Sequence, residues 1–262
     1  MADNNLLWTK EQLILALNLY WRTPYNKISG TSNDDIKKLA LVIGKSPAAI
    51  SFILMNFTSL DSERQEKGEK GKRKPGELGV RVWNEYFNQW DKLTNDSYAI
   101  LNKLNPDRVL DFFDYKSNEG IEKERTIMER VNQSDFRQRI LASYNRCCCI
   151  TGIDIPSLLV ASHIVPWKKN LTEALNPRNG LCLNQIHDKA FDIGLITITT
   201  DFRIKLSDYI VKRKKDQNIQ KFFIAYENQL ITKPERFHPS IEFLEFHNKM
   251  FSTNKFNLQN KK

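Results

Sequence analysis

The sequence has little of what would mark a secreted, membrane-spanning or disulfide-built protein. Its four cysteines are Cys147, Cys148, Cys149 and Cys182, three of them consecutive, and neighbours rarely pair with each other. No spaced disulfide framework results, which fits a reducing cytoplasm. The paired C-x-x-C knuckles of structural zinc sites are missing as well. No apolar run reaches the roughly 18 residues that a membrane span requires, so no membrane partner is expected. The opening Met1-Ala2-Asp3-Asn4-Asn5 lacks the basic-then-apolar layout of a secretory signal. There is no internal repeat. These absences point to a soluble, cytoplasmic protein.

What is present is enough for a packed fold. Hydrophobic residues make up 40% of the 262, and aromatics are plentiful, which argues against global disorder. The length suits one large domain or two small ones. The formal net charge is +9, a balance that favours a polyanionic partner, nucleic acid first.

The first 60 residues read as helices. Thr9 can cap a helix with Leu13, Leu17 and Tyr20 at helical spacing, ended by Pro24. Asn33 or Asp34 can cap a second, with Ile36, Leu39, Ala40 and Ile43 on one face and Gly44 as its stop. Ser46-Pro47 then starts a third. Two helices joined by a short turn containing Gly fit a helix-turn-helix. The third helix carries only Ser51 and Asn56 as polar residues, so DNA contact competes with packing or dimerisation as its role. Residues 61–79, with Arg64, Lys67, Lys70, Lys72, Arg73 and Lys74 among Glu and Gly, read as a mobile basic loop. A helix is expected over Val80–Leu93, with Trp83, Phe87 and Trp90 on a buried face.

A mixed stretch from about 95 to 125 suggests a boundary between a helical domain at 1–115 and a second domain at 126–252. The second domain would have its core at 146–200, and a polar tail would follow at 253–262. Ser134 is expected to cap a helix carrying Phe136, Ile140, Leu141 and Tyr144. Leu158–Ile164 and Gly180–Leu183 read as strands, Asn184 as the cap of a helix to about Phe191, and Gly194 as its end. Leu195–Thr200 and Phe202–Ser207 read as a β-hairpin. Residues 211–216 read as a basic, solvated turn, and Pro234–Phe251 as a closing helix. The fold class is therefore α+β.

Three polar residues stand in this strand–loop–strand–helix frame. His163 ends the first strand, Asn179 precedes the second, and His187 lies in the first turn of the helix. With their flanks, Ala161-Ser162-His163-Ile164-Val165-Pro166-Trp167, Asn176-Pro177-x-Asn179-Gly180-Leu181-Cys182-Leu183 and His187-Asp188-Lys189-Ala190-Phe191-Asp192, they resemble the HNH endonuclease family. The likeness is nearest to a subgroup of bacterial restriction endonucleases. It extends upstream to Asn132-Gln133-x-x-Phe136-Arg137 and Cys149-Ile150-Thr151-Gly152, downstream to Gly194-Leu195-Ile196, and more weakly to Arg236-Phe237 and His247.

The resemblance implies a ββα-metal fold that hydrolyses DNA phosphodiesters. It implies that His163 is the general base, that Asn179 pins the loop between the strands, and that His187 binds a divalent metal. Histidine suits the first role because its pKa lies near neutrality. Many such sites place Asp or His immediately before the base as a second ligand; here that residue is Ser162, which leaves Asp188 or Asp192 as helpers. Mg is the first expectation for the metal, with Mn, Ni, Co or Zn also compatible with a histidine ligand. Arg137, Lys168 and Lys169 are candidate phosphate contacts, against the alternatives of surface ion pairing and ordinary loop exposure. Three roles follow: a restriction or phage-defence endonuclease, a less specific nuclease, or a DNA-binding regulator on an inactive HNH fold. A double-strand cutter with one site per chain would call for a homodimer.

Overall fold

The computed structural model describes residues 7–106, 112, 113, 124–167 and 173–253. It is mostly helical, with two small two-stranded sheets, and divides into two compact units, Met1–Ala142 and Ser143–Lys262. No single helix among the described residues is long and apolar enough to cross a membrane.

The first unit is built around α1 (Lys10–Arg22). Thr9 caps it with a complete capping box, its side chain accepting from Gln12 N while Gln12 returns a bond to Thr9 N. Every residue from Leu13 to Arg22 is buried. Around it pack α2 (Asp34–Ile43), α3 (Pro47–Phe57), α5 (Glu77–Tyr86) and α6 (Trp90–Leu104), with a short α4 (Ser62–Glu66) between. Trp21 is the centre of an aromatic cluster, its ring 4.8 Å from Tyr20, 4.9 Å from Trp83 and 5.7 Å from Trp90. Helices α2 and α3 are bent by 108° across Gly44, whose φ of 65° is the left-handed turn that glycine adopts without steric cost. Asn33 and Ser46 cap them as expected.

Two sequence expectations change here. The single helix over 80–93 is two, because Asn88 turns left-handed (φ 60°), a conformation asparagine tolerates better than most residues. The basic loop does not stand away from the unit. Gly71 lies so close to α3 that a Cβ there would meet the Met55 carbonyl oxygen at 2.5 Å. Arg73 N donates to Asn56 Oδ1 at 3.2 Å, and the Lys72 and Arg73 cations lie 5.8 and 5.0 Å from the Phe52 ring.

Helix α7 (Glu124–Ser143) starts well before Ser134, so Ser134 is not its cap; its hydroxyl donates to the Phe113 carbonyl instead. The stretch expected to open the second domain at 126 clusters with the first unit. Asp135, fully buried, explains why. It accepts from Asn18, Thr94 and Arg139 and lies 3.4 Å from Arg22 Nε, so two cations and two polar groups compensate one buried carboxylate.

The second unit holds the antiparallel pair β1 (Leu159–His163) and β2 (Gly180–Asn184), followed directly by α8 (Gln185–Asp192). The hairpin β3 (Ile196–Ile198) and β4 (Ile204–Leu206) forms where expected, after Gly194 at φ 70°. Two short helices follow, α9 (Asp208–Val211) and α10 (Gln217–Phe222), then α11 (Ile241–Ser252). The closing helix starts later than the expected Pro234, since Phe237 is left-handed and Ser240 is the N-cap. Leu244 and His247 form its buried face.

Candidate functional site

Register fixes the first residue. His163 ends β1 opposite Gly180, so its strand neighbour on β2 directly follows Asn179. Asn179 closes a one-turn 3-10 helix, Pro177–Asn179, capped by Asn176, whose side chain accepts from Arg178 N at 3.0 Å. Asn179 is fully buried and ties both ends of the β1–β2 loop. Its Oδ1 accepts from Val165 N at 2.8 Å. Its Nδ2 donates to the carbonyls of Val165 at 3.1 Å and Glu173 at 3.4 Å, and its own carbonyl accepts from Ile164 N. An asparagine fits because one acceptor and two donors are all used.

The residue after Glu173 then holds the histidine. Ala174 O lies 2.9 Å from His163 Nε2, so in the neutral ring the proton sits on Nε2 and Nδ1 carries the lone pair. Burial lowers the His163 pKa, with the Ala174 carbonyl and Asp188 pulling it back up; the ring is neutral near pH 7. The Trp167 ring meets it edge-on at 5.6 Å.

Asp188 faces the same place. Burial raises its pKa, while Ser162, Lys189 and His163 lower it. Ser162 is buried, and its Oγ lies near this carboxylate without a well-formed hydrogen bond. Asp192, one helical turn on, is raised by burial and then by the Asp188 charge, which brings the two carboxylates onto one side of α8. Among the described residues no three His, Cys, Asp or Glu side chains cluster to hold a metal ion.

His187 points elsewhere. It is 2% exposed, and both ring nitrogens are engaged. Asn184 caps α8 by accepting from the backbone N–H groups of Ile186 and His187, each at 3.0 Å. Its Nδ2 lies 2.9 Å from His187 Nδ1. On the other side Nε2 donates to the Phe222 carbonyl at 2.8 Å, and the Phe223 and Tyr226 rings meet the imidazole edge-on, both at 5.6 Å. Burial lowers its pKa. Both His187 ring nitrogens are thus engaged, while Asp188 lies near His163 and Asp192 stands one turn further along α8.

The structure places Asp188 near His163, whose loop Asn179 ties, and sets Asp192 beside Asp188 on α8, while His187 makes its contacts with Asn184 and the 222–226 segment. Arg137 is half-buried on α7 and belongs to the first unit. Lys168 and Lys169 lie outside the described residues. Sequence reasoning gave Asn184 a capping role only; its position three residues before His187 was the available sign of the second one. The Ala174 carbonyl and the Phe222–Tyr226 segment carried no such sign.

A comparison with curated proteins finds no match. Residues 148–199 match the family model described as HNH endonuclease, and this segment, which carries His163, Asn179 and His187, belongs to that family.

Proposed function

We propose that this chain is a metal-dependent DNA endonuclease in which His163 is the general base. The observation that carries the reading is the Ala174 carbonyl on His163 Nε2, in a loop tied at both ends by Asn179. That arrangement fixes the tautomer and leaves Nδ1 as the nitrogen to take a proton from the attacking water. Water attack on phosphorus expels the 3′ oxygen, giving 5′-phosphate and 3′-hydroxyl ends. Asp188 and Asp192 would hold the divalent metal, Mg or Mn first, with water and phosphate oxygens completing its shell. The metal, when bound, supplies Lewis-acid stabilisation of the phosphate and leaving oxygen. His187, expected as the ligand, is assigned to positioning α8 instead.

The first unit would choose the target, in a restriction or phage-defence role. The 108° bend of α2 against α3 and the Lys72 and Arg73 cations on Phe52 favour a helix-turn-helix-like DNA contact with little direct base reading.

The test is plasmid cleavage with Mg or Mn. His163→Ala should lose about a hundredfold to ten-thousandfold in rate. Cutting at the parent rate would refute the mechanism. Modified and unmodified plasmids separate the biological readings: discrete bands support target choice, and a smear supports a less specific nuclease.

A further inference from the structure

The run Lys212-Arg213-Lys214-Lys215 takes no part in the chemistry described above, and basic runs of this kind are commonly solvated turns. Its surroundings set this one apart. Between 208 and 222 the chain carries five cations, Lys221 included, against Asp208 and Asp216. Residues 212–218 are all exposed. None of the four consecutive cations forms an ion pair with any described residue, and Asp216 is occupied in capping Asn218 and Ile219.

The backbone beneath these side chains is nonetheless fixed. Lys212 N, Arg213 N and Lys214 N donate to the carbonyls of Asp208, Ile210 and Val211. Ile210 is buried, and Ser207 N donates to Leu195 O. At the far end, Phe222 O accepts from His187 Nε2, and Asn228 N donates to Ile204 O. Arg213 is itself placed, its guanidinium carbon 3.6 Å from the Tyr209 ring centroid.

We infer that residues 208–222 form a rigid basic arm that docks the phosphate backbone of DNA beside the catalytic pocket, anchored to α8 by the bond from His187 to Phe222. The inference rests on the DNA substrate of the proposed function and adds where the backbone lies. His187 and Asp188 are adjacent on α8: one holds the arm and the other faces His163. Cations on an ordered scaffold lose less entropy on meeting phosphates than cations on a free loop. Such contacts position the duplex and carry no sequence information.

The test uses the full chain, its triple variant Lys212→Ala, Lys214→Ala, Lys215→Ala, and a control triple, Lys27→Ala, Lys38→Ala, Lys103→Ala, with the same charge loss spread over the first unit. Arg213 is kept because it packs on Tyr209, and melting temperatures check that each variant folds. Affinity for a short DNA duplex is measured in chelator from low to moderate salt. The arm variant should flatten the slope of log K against log salt by about 2 to 3, and the control by less than half as much. A slope equal to the parent's, or a control that matches the arm variant, overturns the inference. Cleavage by the parent, assayed separately with Mg or Mn, keeps the two readings distinct. A parent that binds through the arm but never cuts removes the endonuclease and keeps the arm. A parent that cuts while the arm variant keeps its slope does the reverse.

Discussion

His187 offers the sharpest division between what the family resemblance implies and what the geometry supports. Two substitutions separate a metal ligand from a positioning residue. His187→Ala removes the bond to the Phe222 carbonyl, the bond with Asn184 Nδ2 and two edge-on ring contacts. Each net hydrogen bond is worth about 1 kcal/mol, and each ring contact about 0.5–1.5 kcal/mol. The expected loss is roughly 3 to 5 kcal/mol of stability, at the upper end of what single substitutions cost. His187→Gln keeps an N–H donor on a chain long enough to reach Phe222 O and loses mainly the ring contacts, so its cost is roughly half that.

Urea denaturation in chelator measures both costs, and calorimetric titration with Mn measures the metal. If His187 positions the arm and helix, the Gln variant binds Mn within about twofold of the parent, as expected for a change at an independent site. If His187 is a ligand, the Gln variant folds but loses at least about tenfold in metal affinity, since even outer-shell changes cost that much. The second result would refute the assignment. An Ala variant with no loss of stability would refute the claim that the Phe222 carbonyl and its neighbours anchor the segment.

Asp188→Asn should weaken Mn binding at least about tenfold while leaving the melting temperature in chelator near the parent's, because it removes a ligand charge beside His163 without removing volume. Asn179→Asp should be worse than Asn179→Ala: it aims carboxylate oxygen at the Val165 and Glu173 carbonyls, and denaturation should show a cost of at least about 2 kcal/mol. His247 sets an acid limit. It stacks on Phe191 at 3.7 Å, and burial pushes its pKa down to about 4. The folded value lies below the unfolded one near 6.5, so the stabilisation is complete above about 6.5 and is lost as pH falls toward 4. The contribution is roughly 3 kcal/mol at most. Denaturation at pH 7.5, 6 and 5 should show the decline, and His247→Gln should flatten it; an equally steep decline in that variant would refute the cause.

Much of the fold was legible because its signals are local. Thr9, Asn33, Ser46 and Asn184 each satisfy backbone donors within three residues, and Gly44 and Gly194 each supply a left-handed turn in place. The misreadings arose where a distant partner decided. Ser134 is as good a cap as any serine in isolation, but the Phe113 carbonyl takes its hydroxyl and the helix runs through it. Helical spacing alone does not show that Asp135 and Arg139 are both fully buried, with Asn18, Arg22 and Thr94 around them. The basic loop follows the same rule: nothing in its own composition says that Gly71 is pressed against Met55.

The site divides along the same line. The contacts of His163 and Asn179 could be anticipated from sequence because they form within one strand–loop–strand segment, where a strand end, a turn and an amide suffice. Those of His187 could not, because a histidine in the first turn of a helix can face either side, and what it meets lies more than thirty residues later. The Phe222 carbonyl favours the positioning reading, since the nitrogen nearest it can serve only one partner at a time. A metal at Nε2 would have to displace that bond, which ties the 208–226 segment to α8. Such a displacement would also release the basic run from its anchor, so the ligand reading predicts a metal-dependent change in the salt slope of DNA binding. The positioning reading predicts that the arm's part of that slope is the same with and without metal.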